Sequence, residues 1–222
     1  MICGLIILLD DSVRMPFRIP AIYPITDTRI SGLSHADQVA RLIGGGATFI
    51  QLRDKNNSPH DFFRAAAAAV DIARRNDARI IINDRVDVAM ALNADGVHLG
   101  QSDLPVEAAR RLLPESIIGI STHNLSQVER AAKLLVDYIA FGPIFSTATK
   151  ADREPTVGLD LLRQAKQIAG SLPLVAIGGI SFDNCSAVLD AGADSIAVIS
   201  VLLADSEDIA ENTRRMLSLA VG

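Results

Sequence analysis

IINDRVDVAMALNADGVHLGQSD, residues 81–103, is the stretch whose reading decides the fold. It opens on the end of a β-branched run at 80–83, passes through a short helical segment at 86–92 and turns at 93–95. A second apolar run at 96–99 then leads into a polar loop. A strand, a helix and a strand in so few residues predict parallel neighbours joined by a right-handed crossover, so both strands end at one edge of the sheet. Asp84 follows the first strand and Asp103 the second. Adjacent strands lie about 5 Å apart, so carboxylates at these two places could share one divalent cation such as Mg2+. A plainer reading makes Asp84 the N-cap of the helix before Val86, and Asp103 a cap ahead of the one at Pro105. Spacing alone leaves the two readings level.

Outward from this unit the same alternation continues in both directions. Strands are predicted at 21–26, 48–52, 79–83, 96–99, 117–121, 138–141, 174–177 and 195–199. Most are unbroken apolar runs, the pattern of strands covered on both faces and therefore of a parallel sheet. Helices are predicted at 35–43, 59–75, 86–92, 105–113, 125–135, 160–169, 183–191 and about 206–220. Ser34 and Ser58 stand as N-caps with Asp37 and Asp61 three residues on. About eight βα units in some 200 residues fit the lower size limit of an α/β (β/α)8 TIM barrel as a single domain. An open doubly wound sheet is the rival, and closure is favoured by the last two units. They place Gly178, Gly179 and Ser200 just past strands seven and eight, where barrels commonly cradle a phosphate on backbone N–H groups.

The chain has 222 residues, 49% hydrophobic and 21% charged, enough for one core without a second domain. Its two cysteines, Cys3 and Cys185, form neither a disulfide framework nor a zinc pattern, which fits a reducing, cytoplasmic setting. A net charge of -5 without a basic run argues against nucleic acid and for small-molecule partners. The apolar run at 2–9 is too short to span a bilayer and is followed by Asp10 and Asp11, so no membrane segment is expected. Residues 1–14 read as an extension outside the core, with the catalytic barrel occupying 15–222.

Two further strand ends carry charge. Gln51, Arg53 and Lys55 fall at alternate positions after strand two, so they are expected to share a face as an anion clamp. After strand six, Thr147, Thr149 and Lys150 lead into a long irregular segment; the span 143–158 exceeds the usual loop length and is a candidate lid. His98 and His123 lie near strands four and five without a nucleophile–base pattern, and an isolated histidine is more often structural. Two acids, three cations and a separate phosphate cradle suit chemistry in which a pyrophosphate departs, its charge met by cations and a metal.

Six motifs in order, Y-x-I-T-D at 23–27, Q-L-R-x-K at 51–55, N-D-R at 83–85, G-V-H-L-G-Q-x-D at 96–103, G-P-I-F-x-T-x-T-K at 142–150 and A-I-G-G-I at 176–180, mark the chain. Here it resembles the thiamine-phosphate synthase family of barrel enzymes. The resemblance implies that Gln51, Arg53, Lys55 and Asn83 hold the diphosphate of hydroxymethylpyrimidine diphosphate, with Ser121 and Lys150 completing that pocket and Asp84 and Asp103 binding Mg2+. It further implies that Thr147 and Thr149 face a thiazole phosphate whose phosphate sits on Gly179, Ile199 and Ser200. The catalytic set would be Arg53, Lys55, Lys150 and Ser121; an oligomer is compatible with all of this. Ser146 departs from the proline the family usually carries before T-x-T-K, and residues 1–14 have no counterpart.

Three other functions compete. A thiazole tautomerase shares the fold and the phosphate cradle, and His123 could serve it as acid or base, but it has no diphosphate to neutralise with Arg53, Lys55, Asp84, Asp103 and Lys150. An aldolase would use Lys150 as a Schiff-base nucleophile. A non-catalytic phosphate sensor would leave the carboxylate pair superfluous.

Overall fold

The computed structural model describes residues 18–55, 57–146 and 155–221. Eight strands form a closed barrel, each parallel to the next, with the last returning to the first. In chain order the elements are β1 (Ile22–Thr26), α1 (Thr28–Ser31), α2 (His35–Gly44), β2 (Phe49–Leu52), α3 (Pro59–Arg75), β3 (Arg79–Asn83), α4 (Val86–Leu92), β4 (Gly96–Leu99) and α5 (Val106–Leu112). They continue as β5 (Ile117–Thr122), α6 (Leu125–Ala131), β6 (Tyr138–Phe141), α7 (Gly158–Ala169), β7 (Leu174–Ile177), α8 (Cys185–Asp190), β8 (Ser195–Val198), α9 (Ser200–Leu203) and α10 (Ile209–Val221). Closure removes every sheet edge, so the open-sheet rival is excluded.

The apolar runs are unbroken because each strand serves two cores at once. Tyr23, Ile25, Phe49, Ile81, Tyr138, Ala140, Val175 and Ala197 point into the barrel and pack on one another. Their chain neighbours Ile22, Ile50, Ile80, Ile82, Ile139, Ala176 and Ile196, and Val97 on β4, point outward into the layer beneath the helices. On α3 the buried face is Phe62, Ala66, Ala69, Val70 and Ala73, a helical spacing whose small residues let the helix lie close to the sheet.

Helix starts follow local chemistry. Ser34 Oγ accepts from Asp37 N and Ser58 Oγ from Asp61 N, each at 3.1 Å, as the sequence predicts. Two short helices, α1 and α9, were not expected, and α6 stops at Ala131 instead of running to residue 135. There the backbone tightens, with Lys133 N bonding to Arg130 O and Leu134 N to Ala131 O, because the chain must turn back to enter β6.

At the N-terminal end of the barrel one device recurs. Asp95, Asp137 and Asp194 each sit just before an even-numbered strand, and each accepts with its carboxylate from a backbone N–H of the preceding odd strand. The pairs are Ile80 at 2.8 Å, Ile118 at 2.8 Å and Leu174 at 2.7 Å. Arg110 Nη2 also donates to Asp137, at 2.7 Å. Among the described residues no helix is long and apolar enough to cross a membrane. Residues 1–14 and the middle half of the candidate lid, residues 147–154, lie outside the described residues.

Candidate active site

At the C-terminal end of the barrel the inward-pointing positions turn from apolar to polar. Gln51, on β2, is almost fully buried and donates from Nε2 to the Tyr23 hydroxyl at 2.8 Å. That hydroxyl lies 2.8 Å from the hydroxyl of Tyr138, which lies 2.9 Å from His98 Nδ1; His98 Nε2 in turn lies 2.8 Å from Ser121 Oγ. The chain of contacts crosses the barrel interior from β2 to β5. Burial pushes the ionisation of both phenols well above their usual range, so they remain neutral donors and acceptors. Tyr138 can lie there because β5 carries Gly119 opposite it: a Cβ at that position would come within 2.0 Å of the phenol ring.

Above this layer stand the charges. Arg53 Nη1 donates to Asp27 Oδ2 at 2.9 Å, and the other oxygen of Asp27 caps α1 by accepting from Arg29 N at 3.0 Å. Lys55 Nζ donates to Asp84 Oδ2. Asp84 occupies the left-handed region at φ 61°, a conformation Asp tolerates better than most residues, and its N–H bonds to His98 O at 2.8 Å. Burial raises the pKa of its carboxyl and the adjacent Asp103 carboxyl adds to the rise, while Lys55 opposes both.

The capping reading of these two acids fails. The N-caps of α4 and α5 are Arg85 and Pro105, neither with a side-chain capping bond. Asp84 is turned across the rim to Lys55, and Asp103 Oδ2 accepts from Gly100 N at 2.6 Å within its own loop. Between β3 and β4, whose register pairs Asn83 with His98, the Asn83 amide is buried with its Nδ2 lacking a hydrogen-bond acceptor. Buried donors are rarely left so, and this one faces the site with its capacity unused.

Gln51, Arg53 and Lys55 do not form a single-faced clamp. Gln51 is the last inward residue of β2 and joins the interior chain, whereas Arg53 and Lys55 lie on the loop above it, each paired with an acid from a neighbouring strand end. On the far side, β7 and β8 are neighbours in register. Gly178 and Gly179 have φ of 102° and 65°, and a Cβ on either would strike the chain at 143–146. These glycines are therefore required by close packing of the β6 loop as well as by any anion. Ile199 is the N-cap of α9 and Ser200 its first residue, beside that turn. Thr147, Thr149 and Lys150 lie outside the described residues. His123 Nδ1 lies 2.7 Å from Gly142 O, and its ring lines a cavity of about 430 Å3 with Asn124, Leu125, Pro155, Thr156, Val157 and Leu161, apart from the charged rim.

The family model described as thiamine monophosphate synthase matches residues 22–202, the whole barrel from β1 to α9. The chain belongs to the thiamine monophosphate synthase family. Among family members, the thiamine-phosphate synthase of Chloroflexus aurantiacus is 44% identical over 199 residues, covering 89% of this chain and 91% of that one. That of Albidiferax ferrireducens is 49% identical over 185 residues, covering 82% and 84% respectively. The solved structure of thiamine phosphate pyrophosphorylase from Pyrococcus furiosus superposes with a TM-score of 0.83 at 36% identity, covering 90% of this chain and 95% of that one. Tyr23, Asp27 and Tyr138 were not picked out as site residues from the sequence. Two of them sit inside apolar runs, where an aromatic reads as core, although Tyr23 and Asp27 open and close the first family motif.

Proposed function

We propose that this protein is a thiamine-phosphate synthase, joining hydroxymethylpyrimidine diphosphate to a thiazole phosphate with release of pyrophosphate. The observation that carries the reading is the meeting of Lys55, Asp84 and Asp103 at one rim, within a chain more than 40% identical to thiamine-phosphate synthases over most of its length. In the reaction the carbon–oxygen bond to the diphosphate breaks, the bonding pair leaves with pyrophosphate, and the thiazole nitrogen supplies the pair for the new carbon–nitrogen bond. A carboxylate on the thiazole, where present, leaves as carbon dioxide.

The residues suit a bound Mg2+. Asp84 and Asp103 are hard oxygen donors, and the Asp84 carboxyl, its pKa raised by burial and further by the adjacent Asp103, has one ammonium, that of Lys55, to oppose the rise. Among the described residues no group of three or more His, Cys, Asp or Glu side chains is placed to hold a metal, so substrate oxygens and water would complete the coordination. When bound, Mg2+ supplies positive charge against the leaving pyrophosphate.

The chain's own groups do the rest. Arg53 and Lys55 bind diphosphate oxygens, and the buried Asn83 Nδ2 donates to one of them. Ser121, held by His98, borders the pyrimidine end of the same pocket. Gly179, Ile199 and Ser200 receive the thiazole phosphate; the family motif assigns Thr147 and Thr149 to the thiazole partner and Lys150 to the diphosphate. A tautomerase would need neither the rim cations nor the acid pair. The test is incubation with both phosphorylated halves and Mg2+. Thiamine phosphate and pyrophosphate should appear in equal amounts and stop on chelation; either product without the other overturns the reading.

A further inference from the structure

Behind the rim lies a buried imidazole that the reaction does not use. His35, the first residue of α2, is 1% exposed and packs edge to face against Phe62 of α3, with ring centroids 5.8 Å apart. Its Nδ1 is 2.7 Å from Thr26 Oγ1, and its Nε2 is 3.5 Å from Asp54 Oδ2 with no hydrogen-bond partner nearer. Burial lowers its pKa despite the neighbouring Asp54, so the ring is neutral. The Asp54 carboxylate opposite Nε2 favours the single ring proton there, and Nδ1 is then left to accept from the Thr26 hydroxyl across the shorter of that hydroxyl's two contacts.

Both neighbours of the ring hold the segment that carries Arg53 and Lys55. Thr26 Oγ1 accepts from Arg53 N at 3.4 Å and lies 3.3 Å from Gln51 O. Asp54, its side chain only 2% exposed, is buried between its chain neighbours Arg53 and Lys55, which pair with Asp27 and Asp84. Its oxygens accept from Asn57 N at 3.0 Å and from Asn57 Nδ2 at 2.6 Å, fixing the turn that leads to the Ser58 cap of α3. The imidazole thus braces residues 51–55 from below at two points, through Thr26 and through Asp54.

We infer that His35 and Asp54 are a positioning pair that sets the reach of Arg53 and Lys55 toward the pyrimidine diphosphate, without touching the substrate. This rests on the reading of Arg53 and Lys55 as diphosphate ligands. It predicts an effect confined to one substrate, since the thiazole phosphate is held at the ends of β7 and β8, which β1 separates from β2.

The experiment varies each substrate in turn for the full chain and for His35→Phe, His35→Gln, Asp54→Asn and Arg53→Ala, with circular dichroism confirming the fold. In His35→Phe and Asp54→Asn the KM for hydroxymethylpyrimidine diphosphate should rise about tenfold, with the KM for thiazole phosphate within twofold. His35→Gln, which returns an N–H to the Nε2 position, should restore the first KM to within threefold of the parent. If both KM values stay level, or kcat alone falls, the pair is merely structural and the inference fails. Asp54→Asn decides the matter should His35→Phe not fold. If Arg53→Ala itself leaves the pyrimidine diphosphate KM unchanged, the ligand assignment is what has failed, and the inference goes with it.

Discussion

Lys55 and Asp84, from the loops after β2 and β3, are joined across the rim by a hydrogen bond between ammonium and carboxylate. The acceptor sits on backbone at φ 61°, so its side chain is aimed over the barrel mouth instead of down onto α4. Replacing Asp84 with Asn keeps a residue that tolerates this backbone and removes only the charge. Turnover should fall at least about 100-fold, the scale of losing one electrostatic contact to a leaving group, while the melting temperature shifts by no more than a few degrees. Steady-state pyrophosphate release beside a thermal melt checks both. Near-parental turnover would remove Asp84 from the chemistry.

Gly119 faces the ring of Tyr138 so closely that any side chain must displace it. Gly119→Ala should therefore cost about 1–3 kcal/mol through overpacking, or several degrees in melting temperature. It should also slow turnover, because Tyr138 holds His98 and His98 holds Ser121. Calorimetry and initial rates on one preparation test this; a variant as stable and as fast as the parent would show the interior chain to be slack.

Asp137 acts at the opposite end. It accepts from Ile118 N at 2.8 Å and from Arg110 Nη2 at 2.7 Å. Asp137→Ala leaves a buried N–H without its acceptor and should lower unfolding free energy by about 2–3 kcal/mol. Both KM values should stay within twofold, since the substrates bind at the other mouth. Urea denaturation and kinetics together distinguish this from a change in the site.

His35 gives the stability a pH dependence of known sign. Burial lowers the ring's pKa in the folded chain, while the unfolded chain titrates near the ordinary value of about 6.5. Below that pH the unfolded state takes up a proton that the folded state refuses. This contribution to stability is thus complete above about pH 6.5 and is lost as the pH falls. Its slope is at most about 1.4 kcal/mol per pH unit for one proton. Denaturation midpoints followed from neutral to mildly acid buffer should decline more steeply for the parent than for His35→Asn; equal slopes would mean that the ring is protonated in the fold.

Most of the architecture was legible because strand identity is written locally. A run such as Leu174–Ile177 is buried on both faces, so it carries its own hydrophobic signature whatever surrounds it. Caps were legible for the same reason: Ser34 and Ser58 bond to groups three residues away. The four-residue helices α1 and α9 are too short to show a period. What stayed illegible depends on distant partners. Whether Asp84 caps a helix or faces the rim is decided by Lys55, 29 residues earlier in the chain. The inward turn of Gln51 is decided by Tyr23, and the hydroxyl of Tyr138 becomes functional only beside His98. The charged rim was readable chiefly because its residues sit in motifs the family shares.

The three aspartates beneath the barrel join β3 to β4, β5 to β6 and β7 to β8, like separate buckles on a belt, whereas Thr48 occupies the matching place before β2. A polypeptide severed in the loop following β4 would keep every buckle whole, because each closes entirely on one side of the cut. Two such pieces, made apart and mixed, would each bring a finished section of floor to the reunion, leaving the main-chain pairing at the seams and the Tyr23–Tyr138–His98–Ser121 contacts inside to be restored.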